Sequence, residues 1–310
     1  MTTVFTPTYN RANLLPRLFS SLCAQDCNDF EWLVVNDGST DTTEDLFDEW
    51  MRNSLPFAIR YFKVSNGGKM CAINEALELA NGDFFFIVDS DDALAPNAIS
   101  FIENAFRTLP KDDDSFIGIS GLRVQFDGGY IHGRPLIDTS VGYVDCSNLE
   151  RSKYNLQSDM AEAYYTSKIR KYKFSVWGGE KFTPEAVVWD KMALDGYQLR
   201  WFDAHVYYCE YQENGLSDST WSLLKNNPMG YAMLFNNQLV VNEYRKQKGD
   251  TLTQGISWII NTVIQFISCC CLAREFSYIK NCESCHVWLL LFPGFLVGMR
   301  RRWQFSHCIK

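Results

Sequence analysis

Short apolar runs alternate with amphipathic stretches over the first part of this 310-residue chain. Between the runs, apolar residues recur every three or four positions, which predicts helices, and Asn13 stands where it could cap the first of them. Strands without polar alternation, separated by such helices, predict an α/β fold on a mainly parallel sheet with helices on both faces. The predicted strands are Val4-Phe5, Trp32–Val35, Ile59–Phe62 and Phe84–Val88.

The alternation of apolar runs and amphipathic stretches becomes irregular after Pro110, and longer apolar stretches appear after residue 225. One further strand is predicted over Phe116–Val124, and a polar, mixed region follows over 130–173. A loop punctuated by glycine and proline, Trp177–Glu185, leads into a helix that runs to Leu194. We therefore predict three segments, at 1–110, 111–225 and 226–310.

Two apolar stretches, Ile256–Ala273 and Val287–Met299, dominate the last segment, and Arg300-Arg301-Arg302-Trp303 follows the second. Neither stretch comfortably meets the length of roughly 20 residues that a membrane-spanning helix needs. An apolar face that ends in arginines and tryptophan is typical of a helix lying in the interface of an anionic bilayer. A helix packed on the rest of the protein, or a dimer contact, is the alternative, and the oligomeric state is left open.

Charge and cysteine content narrow the classes of function. The net charge of −8 argues against general nucleic-acid binding. The eleven cysteines are scattered, and three of them, at 269–271, are consecutive, which is unlike a disulfide framework. No signal peptide precedes Met1, so we expect a reducing, cytoplasmic setting. Cys282 and Cys285 have zinc-ligand spacing, but no second pair accompanies them, so a zinc site is not favoured.

Three carboxylates within four residues, Asp89-Ser90-Asp91-Asp92, directly follow the fourth predicted strand. Unpaired, they would repel one another and raise their own pKa values, so a positive partner is expected. Carboxylate oxygens suit Mg²⁺ and Mn²⁺, and a divalent cation carrying a phosphorylated ligand is the simplest candidate. Asp37 follows the second strand, and in a parallel sheet both turns would open on one crevice beyond the carboxyl ends of the strands.

Four separated motifs occur in order within the first hundred residues: Thr6–Asn10, Val34–Asp41, Asn66–Lys69 with Asn74, and Asp89–Asp92. Together they resemble glycosyltransferase family 2, whose members adopt the GT-A fold and transfer a sugar from a nucleotide donor. The resemblance implies a nucleotide-sugar-binding half at 1–110, a half with the acceptor and the catalytic base at 111–225, and a helical, membrane-associated region at 226–310.

The resemblance also implies roles for single residues. Asp37 would accept the imide N–H of uracil, although Asp-Gly is also a common turn pair. Lys69, at the start of a helix, would face the diphosphate. Asp91 would hold Mn²⁺ or Mg²⁺, while Asp92 would brace the loop or orient the acceptor; an acidic cap on the next helix is the alternative for this turn. The expected donor contacts are Pro7, Thr8, Tyr9, Asp37, Lys69, Asn74, Asp89 and Ser90.

The general base must come from elsewhere in the chain. Members of the family use an acidic residue on a loop that leads into a helix, usually beside a second acidic residue. Here the corresponding loop offers Glu185 first and Glu180 second, without the adjacent acidic partner. A helix-terminal charge is the alternative role for Glu185. The later Gln-x-x-Arg-Trp element of processive synthases is missing, which favours transfer of a single sugar.

The residues and the resemblance together predict a metal-dependent, inverting transferase. It would move one sugar from a UDP-sugar to a hydroxyl of a lipid-pyrophosphate-linked saccharide, in O-antigen or capsule repeat-unit synthesis. We expect it to act as a peripheral protein on the cytoplasmic face of the bacterial inner membrane. His205 could add a late metal ligand or be structural, and Glu210–Ser217 could close over a substrate or be a plain loop.

Two other classes of function compete with this prediction. An inactive nucleotide-sugar-binding or scaffold protein would keep the fold without the chemistry, although the acidic residues and a plausible base count against it. A Mg²⁺-dependent phosphatase would carry a nucleophilic Asp after the first strand, and a nucleotidyltransferase a Gly-rich basic loop. The chain has Pro7-Thr8-Tyr9-Asn10 there instead.

Overall fold

The computed structural model describes residues 1–131, 133–210 and 220–307. They fall into two compact units, one drawn from Met1–Lys173 and Asp195–Tyr211 and the other from Phe174–Leu194 and Gln212–Lys310. These units do not coincide with the predicted boundaries at 110 and 225. The stretch that carries Glu180 and Glu185 belongs with the C-terminal helices.

The strands described in the first unit form one mixed sheet. In chain order they are β1 (Thr2–Thr8), β2 (Phe30–Asn36), β3 (Ala58–Lys63), β4 (Phe84–Ile87), β5 (Ala93–Leu94), β6 (Phe116–Gln125), β7 (Tyr143–Cys146), β8 (Met160–Tyr165) and β9 (Gln198–Cys209). The sheet order is β3-β2-β1-β4-β8-β6-β9-β5, with β7 paired to β9.

The half of the sheet formed by β3, β2, β1 and β4 is parallel, which confirms the prediction for the first hundred residues. The other half is mixed, because β8 enters antiparallel between β4 and β6. Strand β8 lies inside the polar region 130–173, where no strand was predicted. Since β1 lies between β2 and β4, the turns after all three strands open on the same edge of the sheet.

Five helices of the first unit lie within the described residues, and their order follows the predicted alternation. They are α1 (Leu15–Cys23), α2 (Thr43–Met51), α3 (Lys69–Leu79), α4 (Ala98–Arg107) and α5 (Thr166–Ile169). The prediction that Asn13 caps α1 is wrong: the N-cap is Leu14, without a side-chain cap bond. A turn in which the Leu14 amide bonds to the Arg11 carbonyl leads into the helix instead.

Both faces of the central strands are covered. Val4 and Phe5 are adjacent in β1, so their side chains point to opposite faces of the sheet, yet neither is exposed. On the face of Val4, Trp32 packs in one cluster with Leu18 of α1 and Phe47 of α2. This burial explains why the strands consist of continuous apolar runs rather than alternating patterns.

The second unit is helical in its described part and has its own core. Its helices are α6 (Ala186–Leu194), α7 (Thr220–Asn226), α8 (Pro228–Gln247), α9 (Ile256–Ala273) and α10 (Leu291–His307). Met229 of α8 and Phe266 of α9 are fully buried in this core. Within the described ranges, only α9 is long and apolar enough to cross a membrane, and 44% of its 18-residue window is buried. A core helix of a water-soluble protein meets the same criteria.

Candidate functional site

The loops after β1 and β2 are bonded to each other through Asn10. This residue adopts a left-handed conformation, with φ of 53°, which asparagine tolerates better than most residues. Its side-chain oxygen accepts hydrogen bonds from the Thr40 amide at 2.8 Å and the Asp41 amide at 3.3 Å. Its own amide donates to Ser39 Oγ at 2.8 Å. The first two sequence motifs therefore form one connected loop structure.

Asp37 joins the second motif to the third. Its carboxylate is buried and accepts the amide of Gly67 on Oδ1 at 2.7 Å and the amide of Gly68 on Oδ2 at 2.8 Å. Gly68 has φ of 91°, a conformation that favours glycine. A carboxylate has about four lone-pair sites, so two amide bonds leave it capacity for another donor. The contact with uracil that was predicted for Asp37 stays a prediction.

Lys69 extends the same connection to the acidic turn. It is the first residue of α3, and its Nζ lies 2.9 Å from Asp89 Oδ1. The N-terminal end of α3 therefore brings both the helix dipole and a side-chain cation to the edge of the sheet. Asn74, further along α3, is half-buried, and its carbonyl accepts a bond from Lys173 Nζ at 3.3 Å.

Asp89 lies between two cations in the structure. Lys69 contacts one carboxylate oxygen, and Arg123 of β6 lies 3.3 Å from the other. Burial opposes ionisation of Asp89, but the Lys69 ammonium and the Arg123 guanidinium hold its pKa well below the usual range. Asp89 is therefore ionised in this arrangement at any physiological pH.

Asp92 is the most deeply buried residue of the acidic turn. It contacts Arg123 and accepts a hydrogen bond of 2.8 Å from the Tyr207 hydroxyl. The same hydroxyl accepts the Asp89 amide at 2.8 Å. Burial and the nearby Asp89 and Asp91 carboxylates outweigh the effect of the Arg123 guanidinium and raise the pKa of Asp92 to about 7. These contacts fit the predicted bracing role for Asp92.

Arg123 and Tyr207 are site residues that the sequence did not reveal. The Arg123 guanidinium lies 4.5 Å from the centre of the Tyr207 ring, and both side chains contact the acidic turn. They come from β6 and β9, far along the chain from the motifs. The available signal was an arginine, the one charged residue within the predicted fifth strand, Phe116–Val124.

Asp91, the predicted metal ligand, is half-buried in the acidic turn. Its side chain is 22% exposed and pairs with Arg11 at 3.3 Å, while neighbouring Ser90 is buried. The described residues contain no group of three or more acidic, histidine or cysteine side chains that could cage a metal. A single carboxylate, such as that of Asp91, still fits Mg²⁺ or Mn²⁺. These ions commonly take one or two carboxylates from the protein and complete their coordination with water and substrate phosphates.

The residues predicted to line the nucleobase lie at the end of β1. Pro7 and Thr8 are buried there, while Tyr9 is 47% exposed. Within the described part of the chain, the buried hydroxyl of Thr8 has no hydrogen-bond partner. An unsatisfied buried hydroxyl costs about 1–3 kcal/mol, so a polar ligand atom at this place would be favoured.

The two base candidates both lie in the second unit but have different surroundings. Both carboxylate oxygens of Glu180 accept amides at the start of α8, from Met229 at 2.8 Å and from Gly230 at 2.9 Å. Burial raises the pKa of Glu180, against the effect of these bonds. Glu185 immediately precedes α6 and is half-buried. The structure therefore gives Glu180 a helix-capping role, and Glu185 stays the predicted base.

The remaining candidates gain no support as ligands. His205 is exposed on β9 and lies edge-on to the Tyr130 ring, with 5.4 Å between ring centres. Neither His205 nor Cys282 and Cys285 belong to a metal-binding group among the described residues. Glu210 is exposed and pairs with Arg17 at 3.3 Å, whereas the rest of the predicted 210–217 segment lies outside the described residues.

Residues 3–154 match the family model of Glycosyl transferase family 2. Among curated proteins, the chain is 38% identical over 100 residues to abequosyltransferase RfbV of Salmonella typhimurium, covering 31% of this chain and 30% of that protein. It is 33% identical over 106 residues to chondroitin synthase of Pasteurella multocida, covering 34% of this chain and 11% of that protein. The chain thus spans about a third or less of the length of these relatives.

Solved structures share the fold over nearly the whole chain. Residues 1–349 of S. aureus TarS in complex with UDP-GlcNAc align with a TM-score of 0.56 and 19% identity, covering 97% of this chain and 91% of that one. The mannosyltransferase PcManGT from Pyrobaculum calidifontis, in complex with GDP-Man and Mn²⁺, aligns with a TM-score of 0.50 and 18% identity, covering 98% and 83%. The match to the family model shows a glycosyltransferase family 2 domain over residues 3–154, and the shared architecture shows the GT-A fold.

Proposed function

We propose that the chain is an inverting glycosyltransferase that moves one sugar from a UDP-sugar to an acceptor hydroxyl. The observation that carries the proposal is the connected series from Asp37 through Gly67, Gly68 and Lys69 to Asp89. It links the predicted nucleobase end of the site to the predicted diphosphate end. The unsatisfied Thr8 hydroxyl supports a ligand at the nucleobase end.

Residues at the start of α3 and in the acidic turn would bind the diphosphate of the donor. Lys69 and the amides at the start of α3 offer positive charge to the phosphate oxygens. Asp91 would hold Mn²⁺ or Mg²⁺, which when bound supplies charge neutralisation for the departing diphosphate. Arg123 and Tyr207 keep Asp89 and Asp92 in place, so the turn is organised before the donor binds.

Glu185 is the proposed general base. Its carboxylate would take the proton of the acceptor hydroxyl as that oxygen forms a bond to the anomeric carbon. The bond from the anomeric carbon to the phosphate oxygen breaks on the opposite side, and UDP leaves with the electron pair. Attack opposite the leaving group gives inversion at the anomeric carbon.

A lipid-pyrophosphate-linked saccharide is the proposed acceptor, in O-antigen or capsule repeat-unit synthesis. The names of two similar proteins support a surface-polymer setting: abequosyltransferase RfbV and the poly(ribitol-phosphate) beta-N-acetylglucosaminyltransferase TarS. Transfer of a single sugar rests on the missing processive element. The cytoplasmic face of the bacterial inner membrane remains the proposed location.

The test measures UDP release from a panel of UDP-sugars, with a lipid-pyrophosphate-linked sugar as the acceptor and with Mn²⁺, Mg²⁺ or EDTA. We expect one donor to give acceptor-dependent release that EDTA abolishes. Asp91→Asn should reduce this release by at least about 100-fold, while Asp112→Asn, in an exposed loop, should match the wild type.

Two results would contradict the proposal in different ways. UDP binding without release from any donor would favour the inactive sugar-nucleotide-binding protein. Full activity of Asp91→Asn in the presence of metal would remove Asp91 from the proposed metal site.

A further inference from the structure

Helix α10 packs on α9 through two glycines. A Cβ added at Gly294 would lie 2.5 Å from Ile267 Cβ, and one added at Gly298 would lie 2.6 Å from Cys271 Cβ. One turn further, Arg301 donates to Ser268 Oγ at 2.6 Å. Positions 294, 298 and 301 therefore define the inner face of α10, where the two helices approach closely.

The opposite side of α10 and the turn before it expose a continuous apolar stripe. The stripe consists of Trp288, Leu289, Phe292, Leu296, Met299 and Trp303, whose exposed fractions range from 47% to 80%. From Leu289 onward the spacing is three or four residues, so these side chains share one helix face. Exposed apolar groups this close together mark an interaction surface rather than ordinary surface residues.

The charge around the stripe is positive, although the whole chain carries −8. No acidic residue occurs after Glu283, and the exposed Arg300 adjoins Met299 of the stripe. Tryptophans stand at both ends of the stripe, and this side chain favours the boundary between water and lipid. Apolar side chains, flanking tryptophans and a basic border together complement an anionic bilayer surface.

A second copy of the chain complements the stripe less well. An isologous contact would bring two identical surfaces together. The segment from 284 onward offers no carboxylate to pair with Arg300 of the other copy. A spanning helix also fits poorly, because α10 has 17 residues and includes arginines at 300–302.

We propose that the stripe lies on the surface of an anionic lipid bilayer, with α10 parallel to the membrane. This inference deepens the proposed function, because a lipid-linked acceptor is confined to such a surface. In this proposal the protein binds the membrane surface through one face of α10, and α9 does not cross the bilayer.

The test is sedimentation of the full-length protein with vesicles of phosphatidylglycerol and phosphatidylcholine, or of phosphatidylcholine alone. We expect strong binding to the anionic vesicles and weaker binding to the neutral ones. The double variant Leu289→Glu, Phe292→Glu should weaken anionic binding by at least about tenfold. Leu136→Glu, at an exposed leucine of the first unit, should bind as the wild type does.

Sedimentation velocity without lipid tests the alternative, in which a second copy of the chain covers the stripe. Equal vesicle binding by the wild type and the double variant, or no binding by either, would overturn the proposal. So would a wild-type dimer that the double variant converts to a monomer. UDP release with a short, water-soluble acceptor should be unchanged in the double variant, so failure of docking and failure of transferase activity are separable.

Discussion

At the scale of single residues, Arg123 joins two of the three carboxylates in the acidic turn. It contacts Asp89 and Asp92, and its guanidinium lies over the Tyr207 ring. Its side chain is only 17% exposed, so water cannot replace these contacts. Removing one partner from a buried ion pair leaves an uncompensated charge, which commonly costs about 3–5 kcal/mol.

Arg123→Met should therefore lower the free energy of unfolding by about 3–5 kcal/mol, measured by urea denaturation. The double variant Arg123→Met, Asp92→Asn should lose at least about 1 kcal/mol less unfolding free energy than the sum of the two single losses. The reason is that Asp92→Asn removes one of the carboxylates left without Arg123. Arg107→Met, at a largely exposed position on α4, is the matched control. Simple additivity of the two changes would contradict the coupling.

At the scale of elements, the start of α8 depends on a glutamate from a distant loop. Asn227, the N-cap residue, makes no side-chain cap bond, and the first helical residue is Pro228. Glu180 instead accepts the next two amides with its two oxygens. A carboxylate near a helix N-terminus is also favoured by the helix dipole.

Glu180→Gln and Glu185→Gln should accordingly fail in different ways. The first should lower the free energy of unfolding by about 1–3 kcal/mol, because the new amide group faces a backbone N–H without accepting it. The second should reduce sugar transfer by about 100-fold or more while UDP still binds, because the acceptor hydroxyl loses its base.

Urea denaturation and UDP release together check both variants, and Glu243→Gln, on the exposed surface of α8, is the control. Wild-type transfer by Glu185→Gln would move the base to another residue. Unchanged stability of Glu180→Gln would show that the cap contributes little.

At the scale of the whole molecule, sequence reasoning succeeded where contacts are local. The strand and helix alternation of the first hundred residues was predictable, and so was the placement of the Asp37 turn and the acidic turn at the same edge of the sheet. Arg123 and Tyr207 were not predictable, because only the pairing of β6 with β9 brings them to the site. Strand β8 was missed because Glu162 interrupts its short apolar run, although most of the strand is buried between β4 and β6.

The cysteines test the structure of both units at once, since those of the described residues are free thiols. Cys285 is exposed, whereas Cys146 and Cys269 are buried, and burial raises the pKa of each of these two to about 12. Alkylation by iodoacetamide, followed by mass spectrometry, should label Cys285 at least about 100-fold faster than either. In concentrated urea the three rates should converge, and similar rates in the folded protein would contradict the described burial.

The charges of the acidic turn have a consequence for how ligands arrive. The carboxylates of Asp89, Asp91 and Asp92 face the cations of Lys69, Arg11 and Arg123. With its pKa of about 7, Asp92 is only partly charged at neutral pH, so the empty cluster carries little net charge. A nucleoside diphosphate sugar brings two negative charges and a divalent cation two positive ones, so only the pair preserves the balance. Each ligand would then strengthen binding of the other by the same factor. The supply of free divalent cation would govern how tightly the protein holds its donor.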